Sequence, residues 1–331
     1  MKNIIKIAIV SVLGLTFAAC NSYDFDQEQY RNEINLLSNS DMVYDRQVAE
    51  LKENGDTIFL VAGLSGSRLS TKPFKVGIEE ADSLFNAYNK TNFDIDVTRF
   101  AKWLPDECYT LPHMEMQIPA GESQVKFPIY LHNLERISPD TTYFLNYKID
   151  PLKTDAFNPR KKEVLLRIYV ENEFATTKSN TFYNYTSSYI TTLAMNAGVA
   201  KRPTSSNQVF PLGPNSVRML AGDETFGDYK NALNNINNMS IKVTVGEKTA
   251  KNPLARSVTI EPYKFIEVVQ MPPIDIYDNT YLINTISTPD GRSTYYKEFR
   301  LHYKYRLQST HPFKEVKAIL RMEYNPRVNL L

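Results

Sequence analysis

The stretch EVLLRIYVENEF, residues 163–174, lies in the middle of the chain and has the pattern of a β-strand. Val164, Leu166, Ile168 and Val170 are two residues apart, so an extended backbone places their side chains on one face. A strand with one apolar face needs a second layer to cover that face. We therefore expect residue 163 to begin a C-terminal β-domain.

The segment before this strand is typical of a linker. It is DPLKTDAFNPRKK, residues 150–162, and it contains Pro151 and Pro159 but few apolar residues. We place the linker at 151–162, an N-terminal domain at 41–150 and the C-terminal domain at 163–331.

The N-terminal domain consists of short alternating apolar runs separated by turn residues, a spacing typical of an antiparallel sandwich. We expect an immunoglobulin-like sandwich here. The turns are Asn54-Gly55, Ser65-Gly66, Ala120-Gly121 and Pro139-Asp140. Asn54-Gly55 gives the strongest hairpin signal of the four. One helix is predicted within IEEADSLFNAYNKT, residues 78–91, where Ile78, Leu84, Phe85 and Tyr88 share one side.

The C-terminal half continues with strand-like runs up to FKEVKAILRMEYN, residues 313–325. The whole chain is therefore predicted to be all-β, with two antiparallel β-sandwich domains. For the second domain the pattern leaves two forms open, a jelly roll of the lectin type and a more closed barrel.

The first twenty residues, MKNIIKIAIVSVLGLTFAAC, have the pattern of an export signal. Two lysines precede an apolar run that is too short to cross a bilayer, which needs about twenty apolar residues. The small residues ahead of Cys20 resemble the bacterial lipobox, so we expect a signal peptide at 1–19 and lipid chains such as palmitate on Cys20. Residues 20–40 are then a tether, and its acidic residues resemble surface-export tags of Bacteroidetes lipoproteins. The predicted location is the outer membrane, lipid-anchored and facing the cell surface.

The charge balance argues against nucleic acid as a partner. Lys and Arg total 38 against 37 Asp and Glu, which gives a formal net charge of +1 and no basic excess to neutralise phosphates. Once Cys20 is lipidated, Cys108 is the remaining thiol, and we expect it to be buried and inert.

No catalytic motif is present in the sequence. The metalloprotease, phosphate-loop, dinucleotide and nucleophile-elbow patterns are absent, and the four histidines are not spaced as metal ligands. Asp94 and Asp96 would share one face of a strand, which is ordinary for a solvent-facing strand. Asp223, Glu224 and Asp228 could surround calcium, but a tight turn is the better interpretation. We therefore expect no enzyme activity, no metal and no cofactor.

Aromatic residues remain as candidate ligand contacts, since sugars stack their C–H faces on flat rings. Tyrosine is abundant, with 21 copies against one tryptophan. Even spacing predicts that Tyr183, Tyr185 and Tyr189 share one face of a strand, although that face could equally be core. The glycan-binding candidates are Trp103, Tyr183, Tyr185, Tyr189, Tyr277, Tyr281, Tyr295 and Tyr296.

Two segments resemble a Bacteroidetes lipoprotein family. IPAGESQVKFPIYL…ISPDTTYFLNYKID, within 118–150, is similar to the end of the N-terminal domain of unknown function 1735. PLGPNSVRMLAGDETFG, at 211–227, and later strand residues resemble the C-terminal domain of unknown function 4361. The resemblance implies a surface lipoprotein of a polysaccharide-utilisation locus, beside an outer-membrane transporter of the starch-utilisation type and its lid lipoprotein.

These observations favour a non-catalytic surface lipoprotein that binds an oligosaccharide or polysaccharide for an outer-membrane uptake system. The alternative is a structural or adhesion module that binds protein partners at the cell surface. A hydrolase with an unfamiliar site is a third hypothesis, and it requires two acids that face each other in a cleft.

Overall fold

The computed structural model describes residues 31–193, 198, 200–203, 206–225, 232–287 and 291–326. Cys20, the predicted signal peptide and the first part of the tether lie outside these residues. In the described ranges, no helix combines the length and the apolar character that a membrane span requires.

The N-terminal part is built from short strands and one helix, α1, at Ser83–Phe93. The strands are β1 Ile34–Leu36, β2 Val43–Tyr44, β3 Ala49–Glu50, β4 Asp56–Leu64, β5 Phe74–Glu80, β6 Lys102–Trp103, β7 Tyr109–Thr110, β8 Glu115–Ile118, β9 Gln124–Leu131, β10 Tyr143–Ile149, β11 Glu163–Ile168 and β12 Val170–Glu171.

These strands form the predicted sandwich. One sheet has the order β1-β4-β9-β7, and the other has the order β2-β11-β10-β5-β8 with β6 also paired to β10. Leu60 and Phe127 of the first sheet meet Leu145 and Leu166 of the second in one buried core. Most pairings are antiparallel, but β2 with β11, β3 with β12 and β6 with β10 are parallel.

β11 and β12, at residues 163–171 of this stretch, pack in the first sandwich, whereas Phe174 at its end packs in the barrel core. β11 pairs antiparallel with β10, and Leu166 lies opposite Leu145. Val164, Leu166, Ile168 and Val170 do face one core, as the spacing predicts, but it is the N-terminal core. The predicted linker at 151–162 is therefore the connection between two neighbouring strands of one sheet.

Of two local predictions, the helix is confirmed with a later start, and the hairpin at Asn54-Gly55 is wrong although a turn is present. The predicted helix begins at Ser83, because Ile78 belongs to β5, while Leu84, Phe85 and Tyr88 pack together as expected. Asn54-Gly55 is a turn, with the Gly55 amide donating to the Lys52 carbonyl. It is not the loop of a paired hairpin, since β3 pairs with β12 and not with β4.

The C-terminal part is a closed β-barrel. Its strands are β13 Thr181–Leu193, β14 Ser206–Gly213, β15 Ser216–Leu220, β16 Ser240–Lys248, β17 Ala255–Pro262, β18 Glu267–Gln270, β19 Thr280–Ser287, β20 Ser293–Arg306 and β21 Phe313–Tyr324, with helix α2 at Ala232–Met239. The order β20-β19-β17-β16-β15-β14-β13-β21 returns to β20, and β18 pairs with the end of β20. Of the two forms that the sequence left open, the structure shows the barrel.

Aromatic rings fill the barrel. Phe299 on β20 lies 5.3 Å from Tyr183, 5.0 Å from Tyr281 and 5.8 Å from Phe174, measured between ring centroids. A barrel of eight strands has an interior that is just wide enough for side chains to fill. These rings are therefore structural.

A buried ion pair joins the sandwich to the barrel. Arg218 projects from the outer side of β15 and meets Asp140 with both terminal nitrogens, in a forked contact on both carboxylate oxygens. The guanidinium also lies 4.3 Å from the ring centroid of Phe210. Nearby, the Asn172 side chain donates to the carbonyls of Gly213 and Ser216 in the β14–β15 turn.

Gly55 provides a test of the turn geometry. Its φ is +73°, and a Cβ there would lie 2.0 Å from the Leu131 carbonyl oxygen, whereas Gly121 has a φ of +82° and open space around it. We expect Gly121→Ala to lower the free energy of unfolding by about 1 kcal/mol, the cost of the left-handed backbone. Gly55→Ala should cost clearly more, because the backbone must also shift. Urea denaturation measures both, and equal losses would contradict the contact with Leu131.

The Arg218–Asp140 pair yields a second prediction. Asp140→Ala leaves the buried guanidinium without its partner and should lower the free energy of unfolding by about 3–5 kcal/mol. Glu79→Ala is the matched control, since it breaks an exposed pair with Lys148 and should cost less than about 1 kcal/mol. Thermal and urea unfolding provide the measurement. Similar effects of the two changes would show that the buried pair does not hold the junction.

Candidate functional site

Trp103 lies on an exposed part of the N-terminal sandwich, in a fixed orientation. β6 pairs in parallel with β10, which places Trp103 beside Phe144. The indole stacks on Phe85 with ring centroids 4.0 Å apart and planes 25° from parallel. Phe85 is buried and meets Phe144 edge-on at 6.5 Å. Trp103 nevertheless remains 41% exposed, so the ring is held from below and open to solvent.

A buried amide fixes the backbone just before Trp103. The Asn89 side chain on α1 donates to the Ala101 carbonyl at 3.2 Å and accepts from the Ala101 amide at 2.8 Å. Asn89 is almost fully buried, so both bonds lie out of water. They tie the strand that carries Trp103 to the helix that carries Phe85, and the two stacked rings are therefore aligned by backbone as well as by contact.

A cleft, called the notch below, opens next to the indole because β5 and β6 pair with different parts of the same edge of β10. β5 follows β10 only along Tyr147–Ile149, and β6 follows it only along Tyr143–Phe144. The gap between them is a cleft of about 530 Å³. Its lining consists of Glu80, Ala81, Asp82, Trp103, Leu104, Asp106, Tyr109, Leu145, Asn146, Tyr147 and Lys148.

Polar groups of the notch have unused hydrogen-bonding capacity. Asn146 donates to the Val164 carbonyl, but its Oδ1 is buried and, among the described residues, has no hydrogen-bond partner. Buried acceptors are normally paired, so this oxygen is an exception among the groups beneath the notch. Asp82 precedes α1 without a side-chain capping bond. Burial raises the pKa of Tyr109 and of Tyr147, which keeps both hydroxyls protonated.

A second cleft of about 570 Å³ lies on the other side of Trp103. It is lined by Phe85, Asn86, Asn89, Lys90, Asp94, Ile95, Phe100, Ala101, Lys102 and Trp103. Trp103 is thus a ridge between two open clefts. The sequence pointed to Trp103, whereas Phe85 was assigned only to a helix face, and nothing in the sequence marked Asn89 or Asn146.

Three of the seven tyrosine candidates lie in or against the barrel core. Tyr183 and Tyr281 are inside the barrel, where no glycan can reach them. Tyr185 packs against the same core and donates its hydroxyl to the Gly222 carbonyl at 2.6 Å. Burial raises the pKa of Tyr183, Tyr185 and Tyr281. For these three residues the core interpretation is the correct one, because the closed barrel needs its interior filled.

Tyr189 does not share the face of Tyr183 and Tyr185, so that prediction is wrong. The register of β13 with β21 shifts between Thr186 and Tyr189, and Ser187 has a φ of +45°. This β-bulge adds one residue and turns the following side chains over. Tyr189 is consequently 41% exposed on the outer side.

The last three tyrosine candidates are divided between environments. Tyr277 is buried, and its hydroxyl donates to the Ser187 carbonyl at 2.5 Å. Tyr295 and Tyr296 are half-buried neighbours on β20 and therefore point to opposite sides of the barrel wall. None of the candidates on the barrel belongs to the clefts beside Trp103.

The acidic candidates have structural roles. Asp94 ends α1 and Asp96 caps a short 3₁₀ turn by accepting from the Thr98 amide, so the two do not share a strand. Asp223 pairs with Lys201. Glu224 accepts hydrogen bonds from the Tyr305 hydroxyl and from the Lys314 ammonium group. Asp228 lies outside the described residues.

Cys108 is fully buried in the sandwich core, as expected, and burial raises the pKa of its thiol. It lies in a 3₁₀ turn at Asp106–Cys108. Across the described part of the chain, no group of three or more His, Cys, Asp or Glu residues could hold a metal ion.

Solved structures share the fold over nearly the whole chain. A multidomain protein including domain of unknown function 1735 from Bacteroides ovatus has a TM-score of 0.59 at 16% identity, covering 89% of this chain and 95% of that one. An auxiliary nutrient binding protein from Bacteroides thetaiotaomicron has a TM-score of 0.57 at 16% identity, covering 86% and 92%. No curated protein matches the sequence.

Two family models match successive parts of the chain. One, described as an N-terminal domain, matches residues 25–155, and the other, described as C-terminal, matches residues 162–321. They occur in the order that their descriptions require, and together they cover most of the chain. The chain is therefore similar to a two-domain family, with an N-terminal β-sandwich and a C-terminal β-barrel, and the solved structures that share this fold come from Bacteroides species.

Proposed function

We propose that this chain is a non-catalytic glycan-binding lipoprotein and that the ridge formed by Trp103 is its binding site. The observation that carries the proposal is the Trp103 ring, which is stacked from below on Phe85 and open above. A ring that is already oriented loses little conformational freedom when a sugar stacks on it. The two flanking clefts give a chain of sugars room to continue on either side.

The polar lining of the notch supports a saccharide over an apolar ligand. Sugar rings present C–H faces for stacking and hydroxyls for hydrogen bonds, so their sites combine a flat ring with a few fixed polar groups. Glu80, Asp82 and Asp106 supply acceptors beside the indole. These groups can receive sugar hydroxyls while the ring of Trp103 carries the stacking contact.

The relatives are consistent with a binding role. One structural neighbour is described as an auxiliary nutrient binding protein, and its fold is shared over both domains. In this chain we assign the bound nutrient to an oligosaccharide because of the Trp103 ridge. Capture close to an outer-membrane transporter and its lid lipoprotein would make weak sites sufficient, since many copies on one surface act together.

Replacing Trp103 is the direct test of the site. Trp103→Ala should abolish retardation in affinity gels that contain the recognised polysaccharide and weaken binding about tenfold or more, because the stacking contact is lost. Tyr189→Ala is the matched control, since Tyr189 is an aromatic residue of equal exposure on the barrel. It should bind as the wild type does.

Trp103 also provides its own readout. It is the single tryptophan of the chain, so a glycan that stacks on it should change the intrinsic fluorescence. A panel of mannans, N-glycans and plant polysaccharides should be screened by both methods. Absence of retardation and of any fluorescence change across the panel would contradict glycan binding and favour the adhesion alternative, while release of reducing sugar would contradict the non-catalytic assignment.

The lipid anchor requires a separate test in cells. Cys20→Ser removes the thiol that the lipobox-like segment would acylate, and the protein should then leave the membrane fraction and become soluble. Cys108→Ser is the control because that thiol is buried in the core, and it should leave the membrane association unchanged. Membrane retention of the Cys20→Ser variant would exclude this anchor.

A further inference from the structure

The outer face of β20 carries a fully buried carboxylate. Phe299 and Leu301 face the barrel core, so Glu298 lies on the opposite, outward side of the strand. It is nevertheless 0% exposed. Arg300 donates through Nε to its Oε1 at 2.6 Å, while Asn284 donates to its Oε2 at 2.8 Å and Arg321 donates through Nε to the same Oε2.

This carboxylate is ionised and orients the two arginines. Burial by itself would raise the pKa of Glu298, but the hydrogen bonds from Asn284, Arg300 and Arg321 together lower it. Arg300 comes from β20 and Arg321 from β21, one on each side of Glu298. A single negative charge between two guanidinium groups leaves one positive charge in the cluster.

The arginines have donors to spare. Each contacts Glu298 through Nε, and within the described residues their terminal nitrogens make no hydrogen bond. Their side chains are 24% and 26% exposed, so these nitrogens are accessible. Guanidinium groups bind carboxylate and sulfate with paired terminal nitrogens, and such charge-assisted bonds are strong.

An aromatic ring lies next to the pair. Tyr296 is two residues before Glu298 on the same outward face, opposite Asn284 on β19 and Glu323 on β21. It is half-buried. A ring beside two oriented cations is suited to a sugar that carries an acidic group, because the ring contacts the sugar and the cations bind the acid.

We propose that Arg300, Arg321 and Tyr296 form a second binding site, on the barrel, for the carboxylate or sulfate group of an acidic saccharide. This second site lies on the barrel, whereas Trp103 lies on the sandwich. The second site therefore does not depend on the function proposed for Trp103. Glu298 is a positioning residue, since it holds the guanidinium groups and leaves their terminal nitrogens turned to the ligand.

Calorimetry on the full chain tests the site with three probes. They are a galacturonate trisaccharide, the matching neutral galactose trisaccharide and sodium sulfate. The acidic trisaccharide should bind, the neutral one should not bind at this site, and sulfate should bind more weakly because it lacks the contact with Tyr296. Equal binding of sulfate and the acidic trisaccharide, unchanged in Tyr296→Ala, would overturn the assignment to a saccharide.

Substitutions with opposite expected signs separate binding from stability. Arg300→Gln and Arg321→Gln should each weaken binding of the acidic trisaccharide about tenfold. Glu298→Gln keeps the size of the side chain and one acceptor oxygen, so the guanidinium groups should stay in place, while the competing negative charge is removed and binding should strengthen. Arg306→Gln is the control, since Arg306 lies on the same face of β20, is 25% exposed and pairs with Glu267.

The outcomes are distinct even if an arginine variant folds poorly. In that case Glu298→Gln decides, because tighter binding supports the site and weaker binding overturns it. Loss of affinity in Arg306→Gln equal to that in Arg321→Gln would show attraction by general charge and would also overturn it. Trp103→Ala should leave binding of the acidic trisaccharide at the barrel unchanged, which distinguishes failure of this site from failure of the Trp103 ridge.

Discussion

The pairing of β20 with strands on both of its edges is the constraint on which the C-terminal domain depends. β19 and β18 lie along one edge and β21 along the other, so the sheet closes into a barrel of eight strands. The interior of this barrel is packed with side chains. Tyr183, Tyr281 and Phe299 supply that packing. Closure also leaves one side of β20 facing outward, and there Glu298 accepts hydrogen bonds from two arginines.

In the N-terminal sandwich, by contrast, one edge of β10 is paired only in part. β5 and β6 each pair with a few of its residues, and the gap between them is the notch beside Trp103. The helix α1 supplies Phe85 below the indole and Asn89 behind it. An incomplete edge thus creates a recess, and a helix packed on the same sheet fixes an aromatic ring at its border.

Particular residues show how far the sequence could be followed. Period-two alternation and turn residues correctly predicted an all-β chain, and helical spacing predicted the side of α1 that packs. The same alternation could not say which sheet β11 joins, because its apolar face fits either core. It also could not detect the bulge at Ser187, which places Tyr189 on the outer face of β13. For Asn146 no pattern existed, since its place beside the notch follows from where β5 leaves β10.

The sequence by itself determined the strand-rich character of both halves, the presence of a single tryptophan and the export-like pattern that ends at Cys20. These are properties of composition and of local spacing, which act over a few residues. Only the tertiary structure decided which aromatic rings are available to a ligand. Availability depends on what covers a strand face, and that cover comes from residues far away in the chain. The closed barrel covers Tyr183 and Tyr281, whereas the open edge of β10 leaves Trp103 exposed.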